Sequence, residues 1–360
     1  MSYLNFILLI FIVIVLGILY HRYQEKKYRV KNQYDNYDSI KKYLLSESSL
    51  ANNKKPIIWV HIPYEYNSRA WQSYGSRSSH DLNQPYLYLT AKSLIKHCDD
   101  SFKICLIDDS TFEKLIPNWK VDMTLLSNPI SGYVRQMAIA KLIHVYGGMC
   151  VPLSFLCFRN LDEMYEKGTR NDKMFVCENV NRNITSTTNN FSPDCRFFGA
   201  KKDNEMVGLF IDFMQRMIST DYTSEGQFQG DFDRWCQAKV RNNKVRIIDG
   251  SEVGVKTSSD KPIIVDDLMG RNYVDIYKNA YGIWIPSADI LRRTQFEWFA
   301  KISPKEVMES NTILGKYILL ANAPEEGGGA GLDKLTNDEP KPHWTAFWKP
   351  PDFPITENVI

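Results

Sequence analysis

The chain has 360 residues, of which 44% are hydrophobic and 24% are charged. This composition is enough for one large globular domain or two smaller ones, and it excludes disorder throughout. Lysine and arginine total 44 against 42 aspartates and glutamates, a formal net charge of +2. Such a balance supplies no long-range field that attracts nucleic acid, so we expect no nucleic-acid partner.

The N-terminus carries the strongest local pattern, an apolar run from Tyr3 to Tyr20 that only Asn5 and Gly17 interrupt. A helix of this length, at about 1.5 Å per residue, reaches about 27 Å and matches the hydrocarbon thickness of a bilayer. No basic stretch precedes the run and no small-x-small site follows it. We therefore expect residues 1–21 to form a transmembrane helix rather than a cleaved signal peptide, with the lipid bilayer as a partner.

A basic flank follows the predicted span. Residues 21–31 contain five lysines and arginines against the single acid Glu25, and no charged side chain precedes the span. The positive-inside bias predicts a single-pass membrane protein, of a host or a virion membrane, whose body lies on the cytosolic side. Residues 22–55 are polar and rich in tyrosine and lysine, and we interpret them as a stalk.

Short apolar runs alternate with amphipathic segments over residues 56–322, which is typical of an α/β domain. Strands are predicted at Ile57–Ile62, Lys103–Ile107, Met174–Glu178, Arg196–Ala200, Val245–Ile248 and Ile263–Asp266. Helices are predicted at Asp203–Ile218, Ser287–Lys301 and Pro304–Ala321. Residues 323–360 combine a glycine run with acids and prolines, and they predict a flexible tail with an aromatic end.

The most informative helix is predicted from Ser131 to Gly148. Ser131 can cap its start, and Gly147 can supply the left-handed residue that ends it. Its apolar residues cover nearly the whole circumference, which is typical of a central helix. An apolar extended run follows over 149–158, broken by Pro152.

The seven cysteines are odd in number and form no Cys-x-x-Cys pair. They therefore predict neither a structural zinc site nor a disulfide framework, and their pattern favours reduced thiols packed as small apolar side chains. No glycine-rich phosphate loop follows a strand, and neither His-Glu-x-x-His nor Gly-x-Ser-x-Gly occurs. The usual kinase and hydrolase classes are not indicated.

Several motifs together resemble glycosyltransferases of the GT-A type, specifically the capsular-polysaccharide-synthesis and sugar-binding Asp-x-Asp families, including relatives encoded by large DNA viruses. The motifs are the opening strand at 56–63, Ile107-Asp108-Asp109, the helix into Tyr146-Gly147-Gly148, Asn160-Leu161-Asp162 and the segment 281–286. The resemblance covers most of residues 56–302. It implies a Rossmann-like, GT-A-like domain that transfers a sugar from a nucleoside diphosphate donor to a glycan acceptor.

The chain departs from that family where the family binds its metal. The Asp-x-Asp falls on Pro152-Leu153-Ser154, and the helical Asp and Arg of the family fall on Gln136 and Ile139, with Arg135 nearby. One hydroxyl cannot replace two anionic oxygens around Mn²⁺ or Mg²⁺, so we expect neither ion, and no cofactor is assigned with certainty. Three explanations stay open: transfer that uses basic side chains instead of metal, a relocated metal site, or a degenerate domain.

One literal Asp-x-Asp is a candidate for a relocated site, Asp231-Phe232-Asp233. The helical spacing around it points the two carboxylates about 200° apart, which is poor geometry for one ion. We expect no metal there. Through the resemblance, the same region lies near the acceptor, and Asp231 is a candidate for the general base.

The candidate residues for substrate binding come from both lines of reasoning. Asp108 and Asp109 end a strand, where α/β folds place ligand groups, His61 lies in the first strand, and Arg69 and Arg77 lie in the loop after it. The resemblance adds Arg135, Gly147, Gly148, Pro152 and Ser154. We expect a membrane-anchored glycosyltransferase-like protein; the alternatives are an inactive scaffold or structural membrane protein, such as one of a large DNA virus, and a lectin-like binder.

Overall fold

The computed structural model of the protein describes Val15, Gly17, Tyr20 and residues 55–62, 84–126, 129–182, 184–220 and 225–323. The predicted transmembrane helix, nearly all of the predicted stalk and the predicted tail therefore lie outside the described residues, apart from those three helical positions. Within the described ranges, no helix combines the length and the apolar character needed to cross a membrane.

Strands of the described residues form a six-stranded central sheet and a two-stranded one. The central order is β2-β1-β3-β6-β5-β7, and β4 pairs with β8. The strands are β1 (Ile57–His61), β2 (Lys103–Ile107), β3 (Gly148–Cys150), β4 (Phe155–Cys157), β5 (Met174–Val180), β6 (Phe191–Ala200), β7 (Val245–Ile248) and β8 (Gly282–Trp284).

The central sheet is mostly parallel. β1 runs parallel to β2 and β3, and β5 runs parallel to β7. Only β6, in the middle, runs antiparallel to its neighbours β3 and β5. This arrangement is compatible with a Rossmann-like fold, and the α/β class expected from the sequence is confirmed.

Helices cover both faces of the sheet, which explains why β1 reads as a continuous apolar run. Ile58 and Val60 enter one core, and Ile57 and Trp59 enter the other, as alternation along a strand requires. The helices are α1 (Leu87–Cys98), α2 (Thr111–Leu115), α3 (Ile130–Tyr146), α4 (Asp162–Thr169), α5 (Glu205–Thr220), α6 (Glu225–Arg241), α7 (Val265–Met269), α8 (Ser287–Arg292), α9 (Glu297–Lys301), α10 (Pro304–Met308) and α11 (Ile313–Asn322).

All seven cysteines are buried, and none forms a disulfide. They divide between the two sides of the sheet. The core that contains α1 holds Cys98, Cys157 and Cys177, and the core that contains α3 holds Cys105, Cys150, Cys195 and Cys236. Their packing as small apolar side chains agrees with the prediction from their spacing.

Three predicted elements differ in the structure. The predicted strand Ile263–Asp266 is wrong, because Val265–Met269 is the helix α7 and the Asp267 carboxylate accepts a hydrogen bond from the Ile264 amide at its start. The predicted helix Ser287–Lys301 is two short helices, α8 and α9. The predicted helix Pro304–Ala321 likewise divides into α10 and α11, because the Thr312 hydroxyl caps a new start by accepting from the Gly315 amide.

The junction between α3 and β3 depends on two glycines. Gly147 (φ 75°) ends α3 as predicted, whereas the helix begins at Ile130 and Ser131 is buried rather than capping. At Gly148 (φ 101°), a Cβ atom would lie 2.1 Å from the carbonyl oxygen of Ile57. A glycine at this position therefore lets β3 lie directly beside β1.

Candidate functional site

The carboxyl ends of the parallel strands meet at one edge of the sheet, where α/β folds bind ligands. β1 ends there with His61, and β2 is followed by Asp108 and Asp109. β3 leads there into Pro152–Ser154. Because β6 runs in the opposite direction, its first half lies at the same edge.

Three of the predicted site residues form one cluster at this edge. Nε2 of His61 lies 2.9 Å from Oδ1 of Asp109. Arg135, on α3, donates from Nε to Oδ1 at 2.8 Å and from Nη2 to Oδ2 at 2.7 Å. The imidazole of His61 also stacks on Phe112 of α2, with ring centroids 5.8 Å apart. The contact with Phe112 and the hydrogen bond to Asp109 together fix the orientation of this ring.

The ionisation of Asp109 follows from these contacts. Its partial burial favours the neutral acid, but the hydrogen bonds and charges of His61 and Arg135 outweigh that effect and lower the pKa to about 2. Asp109 is therefore a carboxylate at neutral pH. A carboxylate has about four acceptor positions, and three donor nitrogens make four contacts with this one, because Nε of Arg135 also lies 2.9 Å from Oδ2.

The neighbouring Asp108 has a different role. Its Oδ1 accepts hydrogen bonds from the amide and hydroxyl of Thr111 and from the hydroxyl of Ser110. Burial opposes ionisation of Asp108, but these bonds lower its pKa below the usual value. Asp108 thus holds the turn between β2 and α2, and this turn directs Asp109 towards His61.

The segment Pro152–Ser154 follows β3 with its carbonyl groups occupied by protein donors. The Pro152 carbonyl accepts from the Phe155 amide at 2.9 Å, and the Ser154 carbonyl accepts from the Ile285 amide at 3.1 Å. The Leu153 carbonyl accepts from the Thr90 hydroxyl at 2.5 Å. These residues do not fit the divalent metal that the resemblance implies, and within the described ranges no three His, Cys, Asp or Glu side chains group as a metal site.

A second charged pair at this edge, Asp194 and Arg196 on β6, was not predicted from the sequence. Nε of Arg196 donates to Oδ1 of Asp194 at 2.9 Å, and Nη2 donates to Oδ2. The Asp194 carboxylate also accepts from the Asn179 amide group at 2.9 Å. Burial opposes the ionisation of Asp194, but the charge and hydrogen bonds of Arg196 lower its pKa. Opposite charges two residues apart in a strand were the available signal, but the predicted strand began only at Arg196.

Several predicted site residues lie elsewhere. Gly147 and Gly148 occupy the amino end of β3, at the opposite edge of the sheet from His61, and their conformations serve the α3–β3 junction. On α6, Asp231 forms an ion pair with Arg234, whereas Oδ1 of Asp233 lies 3.2 Å from Sγ of Cys195. The two aspartates thus have different neighbours, as their helical spacing predicts. Arg69 and Arg77 lie outside the described residues.

The position that the resemblance assigns to a helical aspartate also connects to β6. Nε2 of Gln136 donates to Sγ of Cys195 at 2.7 Å. α3 therefore contributes Arg135 to the His61 cluster and the adjacent Gln136 to the strand that bears Arg196. Comparison of the sequence with models of protein families and with curated proteins gave no match.

Proposed function

We propose that residues 56–322 form a GT-A-like glycosyltransferase domain that binds a nucleoside diphosphate sugar at the carboxyl edge of the sheet. The observation that carries this proposal is the cluster of His61, Asp109 and Arg135, which lies at the strand ends where nucleotide-binding α/β folds hold their ligands. An acidic side chain at such a position suits the hydroxyl groups of a ribose.

The motifs that carry the family resemblance support the finer fold assignment. Ile107-Asp108-Asp109 ends the second strand, and the helix before Gly147-Gly148 leads into β3, beside β1. The segment in the Asp-x-Asp position, Pro152-Leu153-Ser154, follows β3 at the carboxyl edge. The order of these elements thus agrees with the order that the resemblance implies.

The proposed reaction is the transfer of a glycosyl group. The bond between the anomeric carbon and the phosphate oxygen of the donor breaks, and the nucleoside diphosphate leaves with the electron pair. The acceptor hydroxyl oxygen forms the new bond, and its proton passes to a base. Asp231 stays the predicted candidate for this base, and in the structure it forms an ion pair with Arg234.

A thermal-shift experiment tests donor binding. The full chain in detergent is heated with a panel of nucleotide sugars, with EDTA or with Mn²⁺. At a ligand concentration of about 100 times Kd, binding stabilises the fold by about 2.7 kcal/mol and raises Tm by several degrees. We expect His61→Asn to abolish the shift, and His97→Asn on α1, where the ring contacts the Ala321 carbonyl, to retain it.

A second candidate, an inactive glycosyltransferase-like scaffold, is favoured by the loss of both carboxylates at Pro152 and Ser154. Asp109 and Asp194 are also already paired with basic side chains within the protein. If no nucleotide sugar shifts Tm under either condition, the donor-binding proposal fails and the scaffold is favoured.

We further propose that the domain is tethered to a membrane by residues 1–21, with the body on the cytosolic side. The apolar run and its basic flank carry this proposal. In sealed microsomes containing the full chain, external protease is expected to digest the body and leave a short membrane fragment. Full protection of the body would contradict the proposed orientation, and release of the intact chain by carbonate would contradict the span.

A further inference from the structure

The strand β6 does not pair evenly with β5. Val176 of β5 lies opposite Phe198, but the next residue, Cys177, lies opposite Asp194. Residues 195–197 of β6 therefore bulge out of the ladder. Bulges of this kind redirect side chains, and they are frequent beside active sites.

The bulge exposes the guanidinium group of Arg196 to solvent, next to the buried carboxylate of Asp194. The side chain of Arg196 is 62% exposed, whereas that of Asp194 beneath it is 9% exposed. The guanidinium carbon also lies 5.5 Å from the ring centroid of Trp284. The carboxylate and the ring together hold the guanidinium in one orientation.

The bulge adjoins the segment that has lost the metal-binding carboxylates. Cys150, the last residue of β3, pairs with Phe198, so the residues before Phe198 continue past the end of β3 towards Pro152–Ser154. Trp284 lies next to both the bulge and the residue that follows Pro152–Ser154. It pairs with Phe155 immediately after this segment, and its ring lies under Arg196.

Another cation at this edge of the sheet, Lys256, has more carboxylate partners than Arg196 has. Lys256 is 9% exposed, and its Nζ lies 2.9, 3.0 and 3.2 Å from the carboxylates of Glu178, Asp249 and Asp260. Among the described residues, Arg196 has one salt-bridge partner, Asp194, which takes Nε and Nη2, and the charge of Asp233 also acts on it. Its Nη1 makes no hydrogen bond in the part of the chain that the structure describes.

We infer that Arg196 binds the diphosphate of the donor in place of a divalent metal, with Asp194 as its positioning residue. This inference rests on the proposed function. A guanidinium presents planar, directed N–H donors that match phosphate oxygens, and Nη1 is available for them. Since Asp194 lies on the buried side, an anion approaches Arg196 from the exposed side.

Calorimetric titration of the full chain in detergent with EDTA tests this inference. UDP, GDP, ADP and CDP are the probes, and the one that binds is compared with its monophosphate. We expect Arg196→Gln to weaken diphosphate binding about 10- to 100-fold, with little change for the monophosphate. Arg196→Lys should fall between the two, because it keeps the charge without the planar fork. Arg293→Gln, which also has one carboxylate partner, Asp266, is the control and should bind as wild type.

The outcomes separate this inference from the proposed function. Wild-type protein that binds no nucleotide or nucleotide sugar overturns both. Binding that requires Mn²⁺, or an unchanged diphosphate-to-monophosphate affinity ratio in Arg196→Gln, overturns the role of Arg196 alone. A purely structural arginine would lower Tm and leave that ratio unchanged. If Arg196→Gln does not fold, the ratio in Arg196→Lys decides in the same way.

Discussion

The carboxylate of Asp109 accepts hydrogen bonds from two basic side chains on different elements, His61 on β1 and Arg135 on α3. Its folded pKa of about 2 lies below the value of about 3.9 expected for an unfolded aspartate. The ionised group therefore stabilises the fold fully above about pH 4. This contribution is lost as the pH falls from about 4 to about 2, where the carboxylate becomes protonated in the folded protein as well.

We expect Asp109→Asn to lower the free energy of unfolding at pH 7 by about 1–3 kcal/mol, because His61 and Arg135 lose a charged acceptor. The difference from wild type should shrink between about pH 4 and pH 2. Urea denaturation at a series of pH values measures both effects. The control is Asp100→Asn, an exposed aspartate just after α1, which should change little. A difference that stays constant to pH 2 would contradict this account of Asp109.

Individual site residues could be predicted from the sequence, but their pairing could not. His61 and Asp109 stand out because each lies at the end of an apolar strand. Their contact depends on the parallel register of β1 and β2, and the contact with Arg135 depends on where α3 packs. Arg196 was missed as a site residue because its exposure results from a shift of β6 against β5.

At the scale of elements, apolar periodicity predicts the strands well and the short helices poorly. The strands β1, β2 and β5 were predicted because both of their faces are buried over most of their length, which leaves an apolar run; β7 was predicted from the shorter pattern Val-Arg-Ile-Ile, whose two middle residues are half-buried. The run Ile263-Ile264-Val265 has the same composition, but Asp267 bonds to the backbone and begins a helix there. Apolar periodicity does not record a hydrogen bond of this kind between a side chain and the backbone, and so it predicted a strand.

The α3–β3 junction gives a prediction at this scale. In Gly148→Ala, the new Cβ would lie 2.1 Å from the Ile57 carbonyl oxygen, and the positive φ adds strain. We expect a loss of more than about 2 kcal/mol in the free energy of unfolding, measured by urea denaturation. In the matched variant Gly132→Ala, on α3, the Cβ meets no atom within 4 Å, and helix propensity favours alanine. Equal effects of the two substitutions would contradict the role assigned to Gly148.

At the scale of the whole molecule, the C-terminal helices close the core that contains α1. Leu314 and Ile318 of α11 are fully buried there. The Asn322 amide group donates to the Leu89 carbonyl at 3.2 Å, and Nζ of Lys96 donates to the Ala321 carbonyl at the same distance. The end of the chain's described part is therefore tied to α1, and a domain boundary near residue 322 stays a prediction.

Truncation of the full chain tests this boundary. Removal of residues 324–360 is expected to leave Tm within about 2 °C of wild type, because a segment rich in glycine, proline and acids is predicted to bury little apolar surface. Removal of residues 303–360 exposes the apolar surface that α10 and α11 cover, and each buried leucine or isoleucine is worth about 1.5–3 kcal/mol. We expect that variant to lose cooperative unfolding in calorimetry. Cooperative melting near the wild-type Tm would place the boundary before α10.

The buried cysteines can report local opening of the protein, because a reagent reaches them only when the structure around them opens. Burial raises the thiol pKa of Cys105 and Cys150 to about 12, and only a thiolate reacts quickly with alkylating reagents. Labelling therefore requires the helices and the central sheet to separate locally. Because three cysteines lie on one side of the sheet and four on the other, mass spectrometry of partly labelled molecules would show which side opens first.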